Sequence, residues 1–149
     1  MKLLVDADGC PRNVRAIVIR AAERLGIPAL FFADRLLPDV ESSNQEMVLV
    51  GKGDDSADDA LVQQCEAGDI CISRDILLAS RVVERGGVAI DTDGSVYTKE
   101  NIAERVSMRN IMTELRFSGI MPTQKKGGEQ HYTPFANAFD TLLAKHNKG

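Results

Sequence analysis

Apolar residues fall in short continuous runs, and between the runs they recur at helical spacing. Leu3-Leu4-Val5, Ile27 to Ala33, Met47 to Val50, Ile70-Cys71-Ile72 and Val88-Ala89-Ile90 read as strands buried on both faces. Between them, Val14, Ile17, Val18, Ala21, Ala22 and Leu25 predict a helix from Pro11 to Leu25 that Gly26 ends. A second helix is expected to open within Gly51 to Asp59 and run through Leu61, Val62 and Cys65 to Gly68. A third carries Leu77, Leu78, Val82 and Val83 and stops at Gly86-Gly87. Strands alternating with helices imply βαβ units and a mainly parallel sheet, a three-layer α/β/α architecture in one domain spanning 1–149.

The remaining segments are less regular. Asp34 to Gln45 is polar and contains proline, as in a loop or short irregular crossing. Asp93-Gly94 is a turn signal, and Ser95 to Tyr97 forms a short added strand. Thr98 is the expected cap of a helix that continues to Phe117. A mobile loop is expected over 118–132, followed by a last helix over 133–147 that Thr133-Pro134 opens and Phe135, Phe139, Leu142 and Leu143 anchor.

Composition narrows the class. At 149 residues and 44% hydrophobic content the chain can bury one real core. Asp6 follows the first strand too soon for a signal peptide, and no apolar run approaches the roughly 18 residues of a membrane span. Three cysteines without close metal-ligand spacing favour a reduced, cytoplasmic protein and argue against zinc. With a formal net charge of −4, any nucleic-acid partner must be held by a local basic surface or by metal.

The acids carry the chemistry. Asp6 and Asp8 follow the first strand, Asp54, Asp55, Asp58 and Asp59 the third, Asp75 the fourth and Asp91 the fifth. A parallel sheet puts all of these on its carboxyl edge, where open α/β sheets bind ligands. Two carboxylates about 4 Å apart repel by roughly 4 kcal/mol at an effective dielectric near 20, so several in one cleft call for protons or a cation. Mg²⁺ or Mn²⁺ suits such oxygen donors, and it activates water for in-line displacement at phosphorus. The plain alternative is that these acids cap helices or complement the helix dipole, which for Asp54 and Asp59 serves equally well.

Other chemistries fit poorly. Gly51-Lys52-Gly53 and Ser56 lack the third glycine of a dinucleotide fingerprint. There is no Walker pattern and no Gly-x-Ser-x-Gly elbow. Cys10 is expected at a helix start, where its thiol pKa would fall, but Ala16 stands where a thiol phosphatase has arginine. His131 and His146 read as surface residues. Leu4-Val5-Asp6-Ala7-Asp8-Gly9 resembles the opening motif of the haloacid-dehalogenase superfamily, in which the first Asp attacks phosphorus. That family places a flap before its first helix, whereas Pro11 starts the helix at once. A non-catalytic module that keeps the acidic cleft for a metal, a nucleic acid or a protein partner is the competing class.

Several motifs together resemble the bacterial YaiI/YqxD family: Asp6-Ala7-Asp8-Gly9-Cys10-Pro11, Arg20-Ala21-Ala22-Glu23, Gly53-x-Asp55-x-Ala57-Asp58 and Gly68-Asp69-Ile70. So do Arg74-Asp75-Ile76-x-Leu78-Ala79, Tyr97-Thr98-x-Glu100-Asn101-Ile102, Met108-Arg109 and Phe135-Ala136-Asn137. The motifs cover nearly the whole chain in order. Gly9 stands where the family usually has Ala, and Leu77 where it has Pro; neither change removes a carboxylate. The family is similar in fold to PIN-like and NYN-like nucleases. This implies a Mg²⁺- or Mn²⁺-dependent phosphodiesterase, acting on RNA or another nucleic acid. Asp6, Asp8, Asp55, Asp58 and Asp75 would hold metal, with Asp6, Asp8, Asp58 and Asp75 as the catalytic set. On a helix, Arg105, Arg109 and Arg116 fall within a stripe roughly 40° wide. With Lys125 and Lys126 on the following glycine-rich loop they are the expected nucleic-acid contacts. No membrane partner is expected, and the sequence leaves room for a homo-oligomer.

Overall fold

The computed structural model describes residues 1–51, 56–119 and 132–146. Its strands are β1 (Leu3–Asp6), β2 (Ala29–Ala33), β3 (Glu46–Leu49), β4 (Ile70–Ile72), β5 (Val88–Ile90) and β6 (Val96–Tyr97). The helices are α1 (Arg12–Leu25), α2 (Pro38–Glu41), α3 (Ser56–Gln64), α4 (Ile76–Glu84), α5 (Ile102–Phe117) and α6 (Thr133–His146). One sheet runs in the order β3-β2-β1-β4-β5-β6. The first five strands are parallel, and β6 lies antiparallel on β5 with Ala89 opposite Tyr97.

Both faces of the sheet are covered, which is why its inner strands are apolar throughout. Leu3, Val5, Phe31, Ile70 and Ile72 point to one side, where Val14, Val18 and Ala22 of α1 pack with Phe135 and Phe139 of α6. Leu4, Phe32, Cys71 and Ala89 point to the other, beneath Leu61 of α3 and Leu78 and Val82 of α4. The alternation along each strand produces the three-layer α/β/α arrangement. The edge strand β3 has no fully buried residue.

Local chemistry sets most boundaries. Gly26 takes a left-handed conformation (φ 67°) and its N–H closes α1 on the Ala22 carbonyl. Gly94 has φ 95° in the β5–β6 turn, and a Cβ there would lie 2.8 Å from the Pro134 carbonyl oxygen, so the turn sits directly against the start of α6. At the amino edge of the sheet Asp69 is buried, and its carboxylate takes the Lys2 backbone N–H at 3.0 Å and Lys2 Nζ at 2.6 Å. That pair pins the start of β1 to the start of β4. Arg15 does the same for α1 and α2, donating from Nε to Asp39 Oδ2 at 2.9 Å. This hydrogen bond holds the Asp39 carboxyl below its ordinary pKa.

Some expectations shift. Pro11 precedes α1 instead of opening it, because a one-turn 3₁₀ helix, Ala7–Gly9, comes between β1 and α1. A single turn, α2, interrupts the polar stretch after β2. α3 stops at Gln64, short of Gly68. Thr98 does not cap α5 through its side chain. Its carbonyl accepts from Asn101 and Ile102, and Asn101 Oδ1 takes the Thr98 N–H at 2.8 Å. The loop expected over 118–132 lies outside the described residues from 120 to 131, as does residue 147 of the last helix.

Candidate functional site at the sheet's carboxyl edge

The chain leaves β1 toward β2 and β3 on one side, then returns to lay β4 on the other. The order therefore reverses between β1 and β4, the kind of switch point at whose carboxyl edge open α/β sheets bind ligands. Asp6 ends β1, and Ser73-Arg74-Asp75 follows β4, so both sides of the switch point carry a carboxylate.

Ser73 joins them. It is buried, and its hydroxyl donates to Asp6 Oδ2 at 2.9 Å while accepting the Asp75 backbone N–H at 2.9 Å. The hydroxyl thus fixes the Asp6 carboxylate and the chain direction into Asp75 at once. Sequence reasoning gave Ser73 no role. Its one signal was a hydroxyl two residues before the Asp that starts a helix, and its partner lies 67 positions away.

Burial raises the Asp6 pKa above its ordinary value; the Ser73 hydrogen bond opposes this, and the charges of Asp75 and Asp8 add to it. Asp6 is thus a half-buried carboxylate with like charges beside it. Asp75 is exposed and caps α4, its Oδ1 accepting from the N–H groups of Leu77 (2.9 Å) and Leu78 (3.3 Å). Asp8 is also exposed, and its Oδ2 takes the Asp34 N–H at 3.3 Å, tying the 3₁₀ turn to the end of β2.

Asp58 lies in the first turn of α3. Burial raises the Cys71 thiol well above its usual value, and the charges of Asp6, Asp58 and Asp75 add to the rise. Asp59 faces away and pairs with Arg81 at 2.9 Å. Asp91, after β5, is raised by burial and by the charge of Asp93. Asp54 and Asp55 fall outside the described residues. Among the described residues no group of three or more His, Cys, Asp or Glu side chains is arranged to hold a metal ion.

Cys10 corrects an expectation. It does precede α1, next to the N-cap Pro11, but it is buried, and burial pushes its thiol up to about 12 despite the nearby Arg15 charge. A thiol so placed stays protonated and is no nucleophile. Of the expected basic contacts, Arg105, Arg109 and Arg116 line one groove beside α4, while Lys125 and Lys126, like His131, lie outside the described residues.

These features define an α/β protein with a parallel sheet and an acidic switch point. Residues 4–145 match the family model described as uncharacterised, YaiI/YqxD, and the chain belongs to that family. A "UPF0178 protein" of Citrifermentans bemidjiense is 47% identical over 148 residues, covering 97% of this chain and 95% of the relative. One from Vibrio atlanticus is 42% identical over 146 residues, covering 97% and 99%. A third, from Treponema pallidum, is 43% identical over 146 residues, covering 97% and 82%. No solved structure matches. Among the described residues no helix is long and apolar enough to cross a membrane.

Proposed function

We propose that the switch point is the active site of a divalent-cation-dependent phosphodiesterase of PIN-like type acting on nucleic acid, RNA foremost. One observation carries this reading: the buried Ser73 hydroxyl binds the Asp6 carboxylate and the Asp75 backbone N–H together, and the Asp75 and Asp8 charges reach Asp6. The donor set fits a hard cation, being carboxylate oxygen without His or Cys thiolate. Mg²⁺ that acts on phosphates uses one or two protein carboxylates and completes its shell with water and substrate oxygens. Asp6 and Asp75 supply that number. Asp8 and Asp58 are further acids of the same edge, and Asp55 of the proposed set lies outside the described residues.

A bound Mg²⁺ or Mn²⁺ supplies charge neutralisation at the phosphoryl oxygens and an acidified water. The protein's own part is to keep Asp6 ionised and oriented through Ser73, and to hold Asp75 rigid through the first turn of α4. Asp8 and Asp58 offer carboxylates that take the proton of the attacking water. Three thiols that form no disulfide suit a reducing cytoplasm.

The aspartate-nucleophile phosphatase differs in one step, since there Asp6 itself bonds to phosphorus. The chain passes from β1 to α1 through residues 7–11 alone, with no flap, which supports water as the nucleophile. Incubation of the protein with labelled single-stranded RNA or DNA should give cleavage with Mn²⁺ or Mg²⁺ and none in EDTA. Beryllofluoride should leave the mass of Asp6 unchanged. A trapped Asp6 adduct would move the assignment to the phosphatase. Absence of cleavage with either polymer would leave a binding module.

A further inference from the structure

α5 is sixteen residues long and packs on α4, yet none of its residues is fully buried. Between α5 and the β5–β6 turn lies an open groove of about 420 Å³. Arg105, Arg109 and Arg116 line it from α5, opposite the single acid Asp93. Elsewhere Lys2, Arg15, Arg24 and Arg81 each have a carboxylate within ion-pair distance. Among the described residues the three groove arginines have none. Like charges at i and i+4, as Arg105 and Arg109 are, repel along a helix face. In a chain of net charge −4, this face gathers three arginines with only Asp93 as an acid of the groove among the described residues.

The rest of the groove is mixed, with Ser95 and Asp93 beside Ile76 and the two methionines. Met108 and Met112 alternate with the arginines, and Tyr97 of β6 backs them. Guanidinium groups beside exposed thioether surface suit phosphates linked to exposed base faces, because sulfur and arginine both make favourable contacts with the π-face of an unpaired base. A duplex hides those faces. From Arg105 to Arg116 the helix rises about 16 Å, several phosphate spacings of a stacked strand. The groove also reaches Ile76, the residue after Asp75, so it opens onto the carboxylate edge.

We propose that this groove binds single-stranded nucleic acid and leads it to the switch point, with Arg105, Arg109 and Arg116 on phosphates and Met108 and Met112 against a base. Its role as a substrate track rests on the hydrolase reading; its binding of a single strand does not.

Fluorescence anisotropy with a labelled single-stranded oligonucleotide, in EDTA so that nothing is cleaved, tests this on the full chain. The variant R105A/R109A/R116A should bind about tenfold or more weakly, and the slope of log affinity against log salt should shrink by about 2, at roughly 0.7 per lost contact. R105K/R109K/R116K should keep most of that slope, and R20A/R24A, on the opposite layer, should bind like the parent. A duplex of the same sequence should bind more weakly than the single strand. Equal binding by the alanine triple variant, or equal loss in R20A/R24A, overturns the groove. Equal or tighter duplex binding overturns the single-strand assignment. No oligonucleotide binding by the parent, with arginine-dependent capture of polyglutamate, marks an acidic protein partner and also overturns it. Groove-dependent binding without cleavage in Mn²⁺ leaves the groove standing and removes only the hydrolase.

Discussion

Asp6→Asn should lose at least about a hundredfold in metal-dependent cleavage, because removing even an outer partner of a metal ligand costs 10–100-fold. The same variant should melt a few degrees higher than the parent at neutral pH. Asp6 has a raised pKa because its ionised form is desolvated and flanked by Asp75 and Asp8. For a carboxylate whose folded pKa lies above the unfolded one, stability falls as pH rises from the ordinary carboxylate value through the raised one. Above that window the charged Asp6 is a net cost to folding, and asparagine removes the charge while its amide oxygen still accepts from Ser73. The melting difference should therefore close below the ordinary carboxylate range. A gain in stability with loss of activity is the pattern expected of a strained functional site. A lower melting temperature at pH 7 with unchanged cleavage would make Asp6 a structural residue.

The largest effect on stability is expected from Phe135→Ala. Phe135 and Phe139 are fully buried one turn apart on α6, with ring centroids 5.3 Å apart and planes inclined by 17°. They pack with the α1 side chains over the Leu3–Val5 face of the sheet. Truncating such a ring costs about 3–5 kcal/mol, since the cavity closes only in part. In urea the midpoint should fall with the slope unchanged. A loss below about 1 kcal/mol, a typical cost of any point mutation, would mean that α6 contributes little to the core.

Much of this was legible in the chain because the strands are buried on both sides. Ile70–Ile72 and Val88–Ile90 have the extents their apolar runs give, the first between Asp69 and Ser73 and the second between Gly87 and Asp91. Asp75, and the arginine stripe on one side of α5, follow from periodicity alone. Strand order does not, since nothing local tells β4 to lie beside β1 instead of β3. For that reason Ser73 went unnoticed: its value comes from a partner brought near by the crossover. The Cys10 thiol goes the other way from its expected fall because burial, which depends on how the chain packs around it, outweighs the helix start beside it. Thr98 and Asn101 are both good capping types three apart, and only the geometry assigns the side-chain bond to Asn101.

The most direct test is calorimetric titration of the protein with Mn²⁺ near pH 7.5. A carboxylate switch point predicts saturable binding at or below millimolar concentration, weakened at least tenfold, about 1.4 kcal/mol, in Asp6→Asn and in Asp75→Asn. Affinity should be nearly unchanged in R105A/R109A/R116A. Absence of Mn²⁺ binding at millimolar concentration, or binding that both aspartate variants retain in full, would contradict the assignment of this edge as a metal site.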